Sequence, residues 1–226
     1  MRPRNLPRRC GQRRAITCST SGAGSADQPG GLPQNTGAEV TGVDLTPEFC
    51  LAARELNSLA GLIDRVSILH ASALALPVPA ETFDHAYSQA AIMNISDKRG
   101  LFREALRVLR PGGLLALSFV GRGAAGEPRY PLPWATTADI SFLATVEETR
   151  TDLLATGLQI VSLRDSTAAV AEALAPILKL LETEGLPPLG EHVVTGENAK
   201  EWRINAMRSM AERRLSAIEG LARKAA

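Results

Sequence analysis

The sequence predicts an α/β fold built on a doubly wound, mostly parallel sheet, and three observations carry that expectation. From Glu39 onward, short runs of β-branched and apolar residues alternate with longer runs of helical periodicity. The helical runs open on capping residues and close at glycine or proline. The stretch Leu114 to Val120 is continuously apolar, as in a strand covered on both faces. Strands joined by helices of this length favour right-handed crossovers into a parallel sheet.

Taken in order, Glu39 to Asp44 reads as a short strand, after which Thr46 supplies an N-cap, Pro47 a first-turn proline and Glu48 an acid near the positive end of the dipole. The helix runs to about Ala60 and Gly61 ends it. Val66, Ile68 and His70 alternate as the next strand, and Phe83 to Ser88 form another. Ser96 or Asp97 caps a helix carrying Leu101, Ala105, Val108 and Leu109, which Pro111, Gly112 and Gly113 stop before the Leu114 strand. Thr145 and Glu148 make a capping box for a helix ending near Gly157, followed by a strand from Leu158 to Leu163. Residues 166–214 read as helices, with Leu174, Ile177, Leu178 and Leu181 on one apolar face and Trp202 and Met207 on another.

At 226 residues, 45% hydrophobic and 22% charged, the chain has the make-up of one globular domain. The 25 basic and 24 acidic side chains leave a net charge of +1, so no global field points to nucleic acid or an anionic membrane, and neither is an expected partner. The apolar stretches fall short of the ~20 residues that a membrane-spanning helix needs. Cys10, Cys18 and Cys50 are scattered and suggest neither a disulfide framework nor a metal site, which fits a reducing, cytoplasmic setting. Composition shifts at about Thr36. Residues 1–35 hold six arginines, no acid before Asp27 and much Gly, Ser and Pro, and nothing there reads as core. Such a start has the composition of a transit peptide, although Pro3 and Pro7 interrupt any amphipathic helix, and a disordered tail is the plainer reading.

In doubly wound sheets the ligand sits beyond the carboxyl ends of the strands, where the strand order reverses. Asp44 ends its strand and is the residue type that holds ribose hydroxyls; it is equally the residue type of a helix-start Asx turn. Ser72 and Ala73 follow the next strand, and Ser88 and Gln89 end the one after.

The segments TGAEVTGVDLTPEF, ALALPVPAETFDHAYSQAAIMNISD and LFREALRVLRPGGLLAL resemble the second to fifth strand regions of class I S-adenosylmethionine-dependent methyltransferases, with Phe83-Asp84 and Leu109-Arg110-Pro111-Gly112-Gly113 in the family's order and spacing. Within that class the chain is similar, from Thr36 onward, to the small-molecule group that includes the sarcosine and dimethylglycine N-methyltransferases; PLPWATTADISFL and LPPLG share the likeness. The resemblance implies a Rossmann-like methyltransferase domain over residues 36–226, closed by a final antiparallel strand from Leu215 to Ala222, with S-adenosyl-L-methionine as cofactor and a small-molecule methyl acceptor. It implies Asp44 on the ribose with Leu45 next to it at the cofactor, Ser72 and Ala73 beside the adenine, and Ser88 and Gln89 near the methionine end. Ser72 departs from the family's usual Asp for the adenine amine, and Ala90 from a common His.

The larger departure lies upstream. The family places an acidic strand end and a Gly-x-Gly-x-Gly turn before Asp44, so that backbone approaches the cofactor closely. Gly22 and Gly24 stand at that distance, but Thr20 occupies the acidic position and Ala26 that of the last glycine, with no apolar strand ahead of them. Read one base earlier, codons for Cys18 to Gly30 permit V-L-D-V-G-S-G-L-G-G-P-A-R, the missing motif in register. The first 35 residues are thus read as an out-of-frame segment, the frame recovering between Gln34 and Gly37, and a chain so altered is expected to hold cofactor poorly.

Methyl transfer from a sulfonium asks a protein chiefly for alignment and exclusion of water. An amine acceptor needs no base, and no catalytic residue is assigned; His85 lies within a strand and His192 in a loop. The long connection from Gly121 to Thr145 carries Tyr130 and Trp134 and is a candidate wall or lid for the acceptor, or else a surface loop whose Trp134 plugs the core. A nicotinamide dehydrogenase would share the doubly wound fold, but the Arg110 to Gly113 turn resembles the methyltransferases instead. A cofactor-free methyltransferase-like protein and a structural interaction domain are the remaining alternatives.

Overall fold

The computed structural model describes residues 14–18, 37–186, 196 and 198–226. Seven strands form one sheet: β1 (Arg14–Cys18), β2 (Glu39–Asp44), β3 (Val66–His70), β4 (Phe83–Gln89), β5 (Leu109–Arg122), β6 (Gln159–Asp165) and β7 (Leu215–Arg223). Their order is β3-β2-β1-β4-β5-β7-β6. The first five strands run parallel, whereas β7 lies antiparallel between β5 and β6. The expected doubly wound sheet and its final antiparallel strand are both present.

The helices follow the capping chemistry. Helix α1 (Pro47–Leu59) has Thr46 at its N-cap position and Gly61 at φ +69° beyond its end. The Thr46 side chain makes no cap bond, however; the Asp44 carboxylate takes the Thr46 backbone N–H instead. Helix α2 (Lys98–Val108) is capped by Asp97, whose Oδ1 accepts from Gly100 N at 2.8 Å. Helix α3 (Val146–Ala155) carries the full capping box: Glu148 N donates to Thr145 Oγ1 at 3.1 Å and Thr145 N donates to Glu148 Oε2 at 2.8 Å. Helices α4 (Thr167–Thr183) and α5 (Ala199–Ala211) pack on each other and on β7.

Four local expectations are corrected. Strand β1 lies inside the segment whose composition reads as core-free, with Ala15 and Ile16 buried between β2 and β4. Five residues are too few to alter the average of a 35-residue stretch, yet a slot between two paired strands satisfies their backbone groups. The Leu109 to Gly113 run is the start of β5 rather than a terminator: Phe83 pairs with Leu109, the register shifts, and His85 pairs with Leu114, so Pro111 and Gly112 bulge from a continuing strand. Beyond the bulge β5 alternates instead of burying both faces. Leu115, Leu117 and Phe119 enter the main core with Phe102 and Leu153, while Leu114, Ala116, Ser118 and Val120 are half-covered. On α4, Leu181 is buried and Leu174 and Leu178 half-buried, but Ile177 is exposed.

Two interactions brace the sheet at the amino ends of β4 and β5. Arg110 pairs with Asp84, and its guanidinium also donates to Thr82 O at 2.8 Å. Lys224, just past β7, donates through Nζ to Leu109 O at 2.8 Å.

Candidate functional site

The strand order reverses between β1 and β4, and the register fixes what gathers at that point. Val43, Cys18 and Ser88 are register partners in one row across β2, β1 and β4. Asp44 and Gln89, one residue further along, therefore flank the carboxyl end of β1, about 10 Å apart at two strand spacings. β1 ends at Cys18, and Gly22 and Gly24, like Thr20 and Ala26, lie outside the described residues.

Asp44 has two distinct carboxylate oxygens. Oδ1 accepts from Thr46 N at 2.8 Å, an Asx turn that starts α1. Oδ2 is buried with no hydrogen-bond partner among the described residues, on a residue only 8% exposed. A buried, unpaired carboxylate oxygen is costly, and a hydroxyl donor from a ligand relieves that cost. Ser88 repeats the pattern across the switch point: it is buried and its Oγ has no partner among the described residues. One oxygen of Asp44 thus serves the helix-start turn, and the other is left without a hydrogen bond among the described residues. The adjacent Leu45 side chain is 66% exposed, and His70 Nε2 lies 3.0 Å from Leu45 O.

The loop after β3 closes the opposite side. Ser72 Oγ accepts from Leu74 N at 3.1 Å, and half-buried Ala73 packs against the core. Glu104 and Arg107 on α2 pin this loop: Arg107 donates to Leu76 O at 3.0 Å and Val78 O at 2.8 Å, and Leu76 N donates to Glu104 Oε2 at 2.9 Å. The Arg107 hydrogen bond holds the Glu104 carboxyl below the usual glutamate range. The sequence reading missed this clamp because the helix pattern shows only an exposed ion pair three residues apart.

Next to Gln89 and Ala90 opens a cavity of about 320 Å³. Its sheet side is Ser118, Phe119 and Val120 of β5 together with the start of β7. Val170 and Leu174 of α4, with Met207 and Met210 of α5, form the helical wall. Pro133 and Trp134 of the long connection complete it. Trp134 Nε1 donates to Ser141 Oγ at 3.0 Å, and the ring packs on the core while lining the cavity, so the residue is both plug and wall. The connection is tied down at both ends. Arg129 N donates to Ser209 Oγ at 2.9 Å, and Asn205 Nδ2 donates to Pro131 O at 3.1 Å. Buried Lys98 donates to Ile95 O at 2.8 Å and to Phe142 O, and burial pulls its pKa below the ordinary lysine value. Ala90 takes φ +51° where β4 turns into the cavity rim. Among the described residues no group of histidine, cysteine and carboxylate side chains is placed to hold a metal, and no helix is long and apolar enough to cross a membrane.

Known proteins share this architecture. A family model described as a methyltransferase domain matches residues 20–117. Methyltransferase GfsG of Streptomyces halstedii is 31% identical over 191 residues, covering 80% of this chain; the chain spans 66% of GfsG. Among solved structures, a protein of Galdieria sulphuraria assigned as a sarcosine dimethylglycine methyltransferase matches with a TM-score of 0.74 at 20% identity, over 95% of this chain and 79% of that one. Phosphoethanolamine N-methyltransferase 2 of Haemonchus contortus, in complex with S-adenosyl-L-methionine, matches with a TM-score of 0.70 at 19% identity, over 95% of this chain and 49% of that one. These structural likenesses are of fold, and the family-model and GfsG matches carry the relationship further. By sequence match and by strand order alike, the chain belongs to the class I S-adenosylmethionine-dependent methyltransferases.

Proposed function

We propose that the chain transfers a methyl group from S-adenosyl-L-methionine to a small-molecule acceptor in the cytoplasm, with an amine nitrogen as nucleophile. The observation that carries the cofactor reading is the buried, unpartnered Oδ2 of Asp44 beside the point where the strand order reverses. In this reading Asp44 accepts from the ribose hydroxyls and Leu45 lies along the adenosine. Ser72 and Ala73 border the adenine, Ser88 and Gln89 the methionine end, and the backbone at Gly22 and Gly24 approaches the cofactor. When bound, the cofactor supplies a sulfonium methyl whose S–CH3 bond breaks as the acceptor lone pair forms N–CH3, positive charge passing from sulfur to nitrogen. The protein's share is positioning: Trp134 and the α4–α5 wall exclude water and hold the acceptor against Gln89. The amine is favoured because, among the described residues that line the cavity, the carboxylate is Glu219, paired with Arg164, and there is no histidine. A general base is therefore not at hand, and a neutral amine needs none.

A second reading, a methyltransferase-like chain that does not retain cofactor, is favoured by Thr20 and Ala26 standing where the family carries an acid and a glycine. Titration calorimetry with S-adenosylhomocysteine on this chain and on the version with the frame restored over residues 18–30 separates the two. Tight binding by the restored chain and weak binding by the present one is the expected result. Equal, tight binding by both removes the frame argument, and no binding by either removes the methyl-transfer reading.

A further inference from the structure

The cavity beyond Gln89 says more about the acceptor than the cofactor end does. At about 320 Å³ it sits at the small end of the ~300–1,000 Å³ range of ligand pockets, which suits a single ring system rather than a macrocycle. Among the described residues that line it, serine hydroxyls, the Gln89 amide and two charged side chains, Glu219 and Arg203, interrupt an otherwise apolar wall. Glu219 is held by Arg164 Nε at 2.8 Å, and Arg203 also has a partner. Among the described residues that line the cavity neither charged side chain stands without a partner, and a carboxylate buried against Val170, Leu174 and Met207 would be strongly disfavoured. Met207 and Met210 give this wall an adaptable surface, whereas Trp134 is fixed by its bond to Ser141.

From this we propose that the acceptor is an uncharged amine on an apolar, ring-sized body, seated against Trp134 and Met207, and not a small zwitterionic amino acid of the sarcosine type. The proposal rests on the methyl-transfer reading and narrows its substrate class. Burial of the amine in this wall favours its neutral form, the one with a free lone pair. Methylation of a secondary amine gives an ammonium whose N–H proton passes to water on release.

The probes for the test are N-methylcyclohexylamine and N-methylphenethylamine, with sarcosine as the polar counterpart. Each is titrated calorimetrically into the full chain and into its frame-restored version, with and without saturating S-adenosylhomocysteine. Both apolar amines are expected to bind at least tenfold more tightly than sarcosine, and to tighten as pH rises from 7 to 9. Met207→Glu should abolish their binding while S-adenosylhomocysteine affinity stays within twofold. Should that variant fail to fold, Leu174→Ala, which only removes wall area, should weaken the amines several-fold. Sarcosine binding as tightly as the apolar amines, or amine affinity unmoved by both substitutions, overturns the acceptor class. If S-adenosylhomocysteine binds neither chain, the methyl-transfer reading falls instead, so the two failures are told apart within one set of titrations.

Discussion

Replacing Asp44 with asparagine tests the cofactor assignment at the atom that carries it. The two oxygens of this side chain stand differently: Oδ1 accepts from Thr46 N at 2.8 Å, and Oδ2 is buried without a partner among the described residues. Asparagine keeps an oxygen for the Thr46 N–H, so the start of α1 is preserved, but it places an amide nitrogen where the second carboxylate oxygen stands. Two hydroxyl donors then face a donor. The loss is that of a charge-assisted hydrogen bond, about 1.5 to 3 kcal/mol, or roughly one to two decades in dissociation constant. Stability should move little, because the lost oxygen has no partner in the folded chain and its removal takes a charge out of a buried position. The assay is S-adenosylhomocysteine affinity by calorimetry and melting temperature on the same preparations, in whichever frame version binds. Unchanged affinity with an intact fold would leave Asp44 as a turn residue only and refute the ribose assignment. A fall in melting temperature of many degrees would refute the division of labour between its two oxygens.

Two further outcomes follow. Ser72→Asp retains an acceptor for Leu74 N, now 3.1 Å from the serine hydroxyl, and adds a second oxygen at the adenine edge; cofactor affinity should rise by about tenfold, and calorimetry showing no gain would take the adenine away from this loop. The Glu104 carboxyl is held below its unfolded value near 4.5, chiefly by the Arg107 hydrogen bond, so between the two values the unfolded chain binds more protons. The stability it contributes is fully present above about pH 4.5 and is lost as pH falls through the folded value. Glu104→Gln should lower the melting temperature at pH 7 and flatten its decline below pH 4.5, whereas parallel melting curves for variant and parent across that window would deny Glu104 its part in pinning the loop.

What was legible in the sequence was what local chemistry dictates. Thr145 with Glu148, Asp97, and Pro47 announce three helix starts because capping is settled within four residues. The alternation of Glu39 to Gln89 announces parallel strands, and with them the strand ends where Asp44, Ser88 and Gln89 fall. Strand β1 escaped because Ala15 and Ile16 become a strand only between β2 and β4, which the chain supplies later. The start of β5 escaped because Pro111 and Gly112 read as a stop, and only pairing with β4 shows them as a bulge. The cavity escaped for a related reason. Trp134, Leu174 and Met207 meet through the antiparallel insertion of β7 beside β5, and no periodicity within one segment records that meeting.

The same division bears on what the family's most recognisable residues can tell. Asp84 and Arg110 form an ion pair at the amino ends of β4 and β5, the far end of the sheet from Asp44, Ser88 and Gln89. Gly113 lies in the same brace: a side chain there would come within 2.8 Å of Arg110 O and 3.0 Å of Asp84 O. These positions fix how β5 enters the sheet and so place its distant end, but none of them lines the cavity beside Gln89. A likeness resting on them is evidence for the scaffold, and through the scaffold for where a cofactor binds. In the proposed reading the acceptor is set elsewhere, by Trp134 on a connection held through Ser141, and by α4 and α5, which face the half-buried side of β5 across the cavity. On that reading, chains that share the brace can differ in what they methylate, and the wall around Met207 is where the proposal places the difference.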